Sequence, residues 1–309
     1  MIKQKKISVG ETLRDMETFK LILGLTQKEL KDTLIKDILP LFYSKNMIKS
    51  EDGYIKVVGE EDVMLLAHMD TVFKTPPTTF IFDKEQELIT SPEGLGGDDR
   101  CGIFGIIALL LAGHRPHILF TEDEEIGGVG ARKASNKEVI PNNVKYLIQL
   151  DRRGSEDAVF YCCDNPKFHS LVEGYGFKKE VGSFTDIDTL MPIWNICGVN
   201  LSIGYYNEHK QYEYVNIKEM ITTVEKVSKM ISTLPEEKPT FIEKEYIQYK
   251  RKSKYFSFYQ GLYDVGKEEE DGFDIVCDAC GKFHKDTSSL SVYGMDLCDG
   301  CHGLLEIPS

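Results

Sequence analysis

Five short stretches of the sequence place acidic or imidazole side chains directly beside apolar segments. In the first stretch, the apolar residues 63–66 are followed by His68 and Asp70. Side chains alternate along a strand, so His68 and Asp70 would lie on the same face. A histidine with a carboxylate two residues on can bind a metal ion through one ring nitrogen, while the carboxylate orients the ring through the other.

The other four stretches repeat this arrangement at later boundaries between predicted elements. The residues that they contribute are Asp98, Glu124, Glu125, Asp151 and His209. Taken singly, each has a plainer explanation as a helix cap, a solvated helical turn or a surface residue. Together, charges gathered at strand ends are costly unless a cation compensates them. Two histidines with several carboxylates suit zinc-like ions, and two ions about 3.5–4 Å apart can polarise a carbonyl and activate a water.

Apolar periodicity predicts the elements that would bring these residues together. The predicted strands are residues 54–58, 63–67, 117–121, 144–150, 159–162 and 194–203, the last of them broken. One predicted helix begins at the capping box 26–29, and three others cover residues 100–112, 166–173 and 215–234. Strands that alternate with helices predict an α/β fold, a three-layer α/β/α sandwich on a mixed, mostly parallel sheet. Such sheets bind ligands at the carboxyl ends of their strands, where three of the stretches lie.

The ordered set of motifs is more specific than any one of them. The chain contains, in sequence, His-x-Asp, Gly-x-Asp-Asp-Arg-x-Gly, Asp-Glu-Glu-x-Gly, an Asp and a His. This set resembles the clan of dizinc exopeptidases and N-deacylases, which includes tripeptide aminopeptidase, the aminoacylases and the single-domain zinc aminopeptidases. The resemblance covers roughly residues 50–235.

Carried over to the matching positions, the resemblance implies two metal ions that share Asp98. His68 and Asp151 would complete the site of one ion, and Glu125 and His209 would complete the site of the other. The peptide bond after Asp98 is often cis in this family. The implied ions are zinc, with cobalt or manganese as alternatives.

The resemblance also implies the catalytic roles. Asp70 would orient His68, and Glu124 would be the general base. The family, not the spacing, distinguishes Glu124 from Glu125. The implied activity is that of a zinc-dependent metallopeptidase or amidohydrolase, an aminopeptidase or N-deacylase that cleaves an amide bond in a small peptide or N-acyl amino acid by a two-metal hydroxide mechanism. The alternatives are an isopeptidase that removes a protein tag, or a binding and targeting protein that uses the hydrolase fold as a scaffold.

The chain departs from many members of the clan by its lack of room for a lid domain. Asp151 and His209 are only 58 positions apart, whereas a separate lid needs about 100 residues. Without a lid histidine, Tyr205 or Tyr206 could donate to the oxyanion, although both could equally be wall residues. Asp186 lies in a segment that resembles the one lining the substrate site of such aminopeptidases, and an ordinary helix cap is the alternative.

A second module is predicted at the C-terminus. The cysteines Cys277, Cys280, Cys298 and Cys301 form two Cys-x-x-Cys pairs, the spacing of a structural zinc site. The predicted organisation is a catalytic domain over residues 1–235, a linker or wrapping segment over 236–272, and a zinc ribbon or knuckle over 273–309. Such modules bind protein or nucleic acid, and a purely structural tail is the alternative.

The composition excludes several other classes. The 309 residues are 41% hydrophobic and 28% charged, which is typical of a soluble globular protein. A formal net charge of −13 disfavours wholesale binding to nucleic acid or to an anionic membrane. The N-terminus lacks the apolar core of a signal peptide, so the expected location is the cytoplasm. In that reducing setting the other four cysteines are expected to be core residues, namely Cys101, Cys162, Cys163 and Cys197.

Overall fold

The computed structural model describes residues 6–244 and, farther on, the backbone of four short strands. The chain divides into two compact units, Met1–Ile247 and Gln248–Ser309. The helices of the first unit are α1 (Val9–Leu13), α2 (Met16–Leu23), α3 (Gln27–Thr33), α4 (Gly97–Ala112), α5 (Val129–Lys137), α6 (Pro166–Glu173), α7 (Asp186–Trp194) and α8 (Ile217–Thr233). Its strands are β1 (Ile48–Glu51), β2 (Tyr54–Val57), β3 (Val63–His68), β4 (Ile81–Asp83), β5 (Leu88–Thr90), β6 (His117–Thr121), β7 (Tyr146–Arg152), β8 (Asp157–Val159), β9 (Lys178–Glu180), β10 (Gly198–Ser202), β11 (Tyr205–Tyr206) and β12 (Tyr214–Asn216).

An eight-stranded sheet in the order β1-β2-β6-β3-β7-β10-β8-β9 forms the centre of the first unit. Its four middle strands, β6, β3, β7 and β10, run parallel to one another. Antiparallel pairs of β2 with β6 and of β10 with β8 flank them. The middle strands are buried along almost their whole length. Both faces of a parallel sheet are covered, which explains why these strands are continuous apolar runs.

Two groups of helices cover this sheet. In one group, α1, α2 and α8 contact α4, which packs against β3 and β7. In the other, α5 and α7 contact each other, and α7 packs against β7 and β10. The predicted α/β/α sandwich with a mixed, mostly parallel sheet is therefore confirmed.

The helix α4 lies deepest, because its residues 97–110 are all buried. Its apolar side chains therefore need no polar face. Gly102 permits its close approach to the sheet, since a Cβ at this position would lie 2.4 Å from the carbonyl oxygen of Leu150. A larger residue would push the first turn of α4 away from the end of β7, and both elements carry predicted site residues.

A second, smaller sheet contains β11, β12, β5 and β4 in that order, and its pairs are antiparallel. The loop between β11 and β12 contains His209 and Glu213. This sheet therefore brings a late part of the chain next to the segment that precedes α4.

Local boundaries differ from the sequence-based expectation in two places. The predicted strand 159–162 shares only Val159 with β8, because the chain turns directly after Phe160. Residues 194–203 are predicted to be a broken, strand-like stretch; the strand within it is β10, and Trp194 is the last residue of α7. Ile187, Leu190 and Met191 recur at helical spacing and are buried, so packing of one helical face outweighs the β propensity of the aromatic residue. The predicted capping box is confirmed, because the Thr26 side chain accepts the backbone N–H of Glu29. No helix in the described part of the chain is long and apolar enough to cross a membrane.

The second unit contains β13 (Phe273–Val276), β14 (Phe283–Asp286), β15 (Ser291–Val292) and β16 (Met295–Asp296). The pairs β13–β14 and β15–β16 are both antiparallel. The predicted zinc ligands Cys277, Cys280, Cys298 and Cys301 lie outside the described residues, so the predicted zinc module stays a prediction.

Candidate active site

The predicted site residues come together at the carboxyl ends of the parallel strands. His68 is the last residue of β3, and it lies opposite Thr121, the last residue of β6, in the sheet register. Glu124 and Glu125 follow β6 directly, and Asp151 is the penultimate residue of β7. The strands thus present the acidic and imidazole groups along one edge of the sheet, as open α/β sheets do at their ligand sites.

The first group of possible metal ligands is His68, Asp98 and Asp151, all of which are buried. Nε2 of His68 lies 3.1 Å from Oδ1 of Asp98 and 3.6 Å from Oδ1 of Asp151. The three ligand atoms lie within 4.8 Å of one another, so a single ion could contact all three.

The second group is Asp98, Glu125 and His209. Nε2 of His209 lies 3.4 Å from Oδ2 of Asp98 and 3.0 Å from Oε2 of Glu125. Asp98 therefore offers one oxygen to each group. The peptide bond between Asp98 and Asp99 is cis, as the resemblance implied.

The electrostatics of the site fit divalent cations. Burial, together with the charge of Asp98, raises the pKa of Asp151 to about 7. Hydrogen bonds with Asp98 and Glu125 raise the pKa of His209 to about 10. Burial opposes the charged form of His68, but Asp151 and Asp70 raise its pKa well above the ordinary value. A divalent ion bound to these oxygen and nitrogen atoms would favour the charged carboxylate of Asp151 and the neutral imidazoles of His68 and His209.

Asp70 connects the segment of His68 with the segment of Glu124 and Glu125. Its Oδ1 lies 3.2 Å from Nδ1 of His68, leaving Nε2 directed at the ligand group. The backbone N–H groups of Glu124 and Glu125 donate to the two oxygens of Asp70, at 3.1 and 3.0 Å. Asp70 therefore holds the end of β3 and the turn after β6 in fixed relation, as the expected orienting role requires.

Glu124 lies beside both groups and belongs to neither. It lines a cavity of about 140 Å³ together with Asp98, Glu125, Asp151 and His209. Burial raises the pKa of Glu124 to about 9. Within the described residues its carboxylate accepts no hydrogen bond, so both of its oxygens are available to a ligand in the cavity.

Several residues that the motifs did not reveal fix the position of Asp151. Oδ2 of Asp151 accepts hydrogen bonds from the Thr185 hydroxyl at 2.6 Å and from Nε2 of Gln149 at 2.9 Å. The Asp151 backbone N–H donates to Oδ1 of Asn200 at 2.9 Å. Thr185 and Asn200 lie 34 and 49 positions from Asp151 along the chain, so only the fold brings them to it, whereas Gln149 precedes it by two residues on β7.

Glu213 and Asp99 fix the loop that carries Asp98. The buried carboxylate of Glu213 accepts the backbone N–H groups of Gly96 at 2.8 Å and of Asp98 at 3.0 Å. Burial raises the pKa of Glu213 to about 8. Asp99 accepts the backbone N–H groups of His68 at 3.2 Å and of Gly102 at 3.0 Å. Of these two residues, only Asp99 belongs to a motif that the sequence analysis singled out, the Asp-Asp pair of Gly-x-Asp-Asp-Arg-x-Gly.

The predicted substrate residues take three different positions. The Tyr205 hydroxyl is buried and donates to Oδ1 of Asp151 at 3.2 Å. The Tyr206 hydroxyl donates instead to Glu219, and its ring stacks on Tyr214. The structure therefore does not bring Tyr206 to the ligand groups, because successive strand residues face opposite ways.

Asp186 begins α7 and is almost fully buried. Its Oδ2 accepts the Thr121 hydroxyl, and its Oδ1 has no hydrogen-bond partner within the described residues. Burial raises the pKa of Asp186 to about 6. Asp186 thus lies behind the site, at the end of β6, rather than on the wall of the cavity. The four cysteines expected in the core, Cys101, Cys162, Cys163 and Cys197, are all buried.

Comparisons with known proteins identify the fold. The aminopeptidase PepT from Bacillus cereus superposes with a TM-score of 0.58 at 14% identity, over 72% of this chain and 98% of that chain. A tripeptidase from Staphylococcus aureus gives 0.55 at 13% identity, over 74% and 98%. A glutaminyl cyclase from Porphyromonas gingivalis gives 0.51 at 15% identity, over 74% and 99%.

These similarities show a shared fold, in agreement with the fold that the motif resemblance implies. No protein-family model matches the sequence, and no curated protein sequence matches it either. Because one of the similar structures is named a cyclase and two are named peptidases, the fold alone does not decide the reaction. The reaction has to be argued from the site.

Proposed function

We propose that this protein is a metal-dependent hydrolase that cleaves an amide bond, as an aminopeptidase acting on a small peptide or as an N-deacylase acting on an N-acyl amino acid. The observation that carries the proposal is the pair of ligand groups that share Asp98 and face one cavity. The fold shared with an aminopeptidase and a tripeptidase supports it.

His68, Asp98 and Asp151 would hold one ion, and Asp98, Glu125 and His209 would hold the other. Two divalent ions, when bound, would polarise the substrate carbonyl and lower the pKa of a water molecule. Asp98, which belongs to both groups, would take part in holding both ions.

Glu124 would serve as the general base. Its carboxyl group lines the cavity without another hydrogen-bond partner in the described residues. Burial raises its pKa to about 9, and two bound cations would lower that pKa, so the carboxylate could take a proton from the attacking water and return it to the leaving amine. Asp70 would keep Nε2 of His68 directed at its ion by holding Nδ1.

We further propose that Cys277, Cys280, Cys298 and Cys301 bind one structural zinc ion. The full chain would then bind about three zinc equivalents. Cys277→Ser with Cys298→Ser would reduce the content to two equivalents. A content of two in the unmodified chain that these substitutions do not change would refute the structural zinc site.

The hydrolase is tested by assaying the purified full chain, loaded with zinc, cobalt or manganese, on dipeptides with a free amino terminus and on N-acetyl amino acids. We expect hydrolysis of at least one class, its loss on treatment with a chelator, and its return when the divalent ion is added back. Hydrolysis that persists in the metal-stripped protein, or no hydrolysis of either class at full metal occupancy, would contradict the proposal.

A further inference from the structure

The cavity beside the two ligand groups has a second wall that the proposed reaction does not use. Apart from the ligand groups, Glu124 and Tyr205, its lining includes Arg152, Arg153, Tyr161 and Ser183. Arg152 directly follows Asp151 at the end of β7. Arg152 and the proposed metal ligand Asp151 are therefore neighbours at the same strand end, and we call the side of the cavity formed by Arg152, Arg153, Tyr161 and Ser183 the cationic wall.

The guanidinium of Arg152 has protein partners but retains unpaired N–H donors. Its Nε and Nη2 each lie 3.3 Å from Oδ2 of Asp157, and Nη2 lies 3.4 Å from the carbonyl oxygen of Val181. These contacts are longer than the roughly 2.7–2.9 Å of a strong charge-assisted hydrogen bond. Nη1 of Arg152 has no hydrogen-bond partner in the described part of the chain, and a guanidinium carries five N–H donors.

Two further donors are close by. The Tyr161 hydroxyl accepts a hydrogen bond from Nδ2 of Asn200 at 3.2 Å, so its own O–H remains able to donate. The Ser183 hydroxyl lines the same cavity. Arg153 is more exposed and is paired with Glu208 at 2.8 Å. Arg152 is therefore the cation of this wall that is best placed to bind an anionic group.

The charge balance of the cavity would admit an anion once divalent ions are bound. Five acidic residues and two arginines line the cavity, and Arg152 is in addition paired with Asp157. Two divalent ions at the ligand groups would offset most of this negative charge. A substrate carboxylate could then accept hydrogen bonds from the free donors of Arg152, and these would be stronger than those to a neutral amide.

We infer that this wall, with Arg152 as its main contact, recognises a carboxylate of the substrate next to the scissile amide. The inference rests on the proposed hydrolase function and names its substrate class. The carboxylate is either the acidic side chain of the N-terminal residue or the free α-carboxylate of the leaving amino acid.

Two comparisons of substrates separate these sources in the metal-loaded full chain. The first sets Glu-Leu-amide against Gln-Leu-amide, and Asp-Leu-amide against Asn-Leu-amide. The second compares Ala-Leu with Ala-Leu-amide. We expect the carboxylate to raise kcat/KM by about tenfold or more in one of the two comparisons, since a hydrogen bond to a charged group is worth that much.

Arg152→Met should reduce this carboxylate-to-amide ratio to about one, and Arg152→Lys should restore part of it. Using the ratio within each variant removes any general loss of activity caused by the position next to Asp151. Arg14→Met is the matched control, because Arg14 is exposed and pairs with Glu87 away from the cavity. This control should leave the ratio unchanged.

A binding measurement separates failure of the inference from failure of the proposed function. Calorimetry would compare glutamate with glutamine, and N-acetyl-leucine with its amide. If neutral peptides are cleaved and neither comparison shows a ratio above about two, or if Arg152→Met leaves the ratio unchanged, the inference is overturned and the hydrolase stands. If nothing is cleaved but the carboxylates bind in an Arg152-dependent way, the carboxylate site stands and the hydrolase fails. If neither cleavage nor selective binding occurs, both fail.

Discussion

The two ligand groups share Asp98 but are held very differently. His68 and Asp151 stand at the ends of adjacent strands, and their side chains are 1% and 6% exposed. His209 lies in the loop between β11 and β12, with a φ of 63° and a side chain that is 47% exposed. The first group is therefore part of the core, and the second is completed by a loop at the surface.

This difference indicates how each group would respond to an ion. Asp70 fixes the ring of His68, and Thr185 and Gln149 fix the carboxylate of Asp151, so the buried group is organised in advance. The contacts of His209 in the described residues are with ligands of its own group. We expect the buried group to bind its ion more tightly, and the exposed group to exchange its ion more readily.

The largest expected effect lies outside both groups. Glu124→Ala should lower kcat by about a thousandfold, because it removes the proposed proton acceptor, while both ligand groups keep their ions. Turnover and metal content of the variant check this, with Glu17→Ala on an exposed helical face as the control. Unchanged turnover, or the loss of an ion, would refute the assignment of Glu124 as base.

Removal of one histidine from each group tests the difference between the buried and the exposed group. His68→Ala should lose the buried ion and lower Tm by about 6 °C or more, because it leaves buried acids without their partner. His209→Ala should lose only the exposed ion and change Tm by about 2 °C or less, because its ring is half exposed. Metal analysis and thermal unfolding measure both. Equal shifts in Tm would show that the two groups do not differ in this way.

A milder substitution, at Thr185, should affect the buried group alone. Thr185→Val removes the hydroxyl that donates to Asp151 and should weaken binding at the buried group by about 10–100-fold. The exposed group should be unaffected. Metal titration of the variant checks this, with Thr222→Val on the exposed part of α8 as the control. Weakening of both ions to the same degree would argue against separate groups.

The smallest effect is expected from partial metal removal. Titration with a chelator should first remove the ion of the exposed group, with a change in Tm of about 2 °C or less. Removal of the second ion should then lower Tm further, because an ion bound more tightly to the folded state stabilises it more. Simultaneous loss of both ions, with a single drop in Tm, would contradict the proposed order.

The residues of the two candidate ligand groups could be selected from the sequence because they lie close to predicted element boundaries and their motifs occur in a fixed order. Glu213 could not, since it lies 115 positions from Asp98 and meets it only when β12 pairs with β5. Tyr205 and Tyr206 could not be separated either. Their different partners, Asp151 and Glu219, depend on which face of β11 each one occupies.

Apolar runs and side-chain periodicity located most of the central strands to within a few residues, together with the kinds of side chain near their ends, because both signals act locally. Only the folded structure showed that one proposed ligand group is buried while the other reaches the surface, and that Arg152 lines the cavity beside them. These features depend on contacts between segments far apart in the chain, and their geometry is set by how helices pack on the sheet rather than by any local pattern.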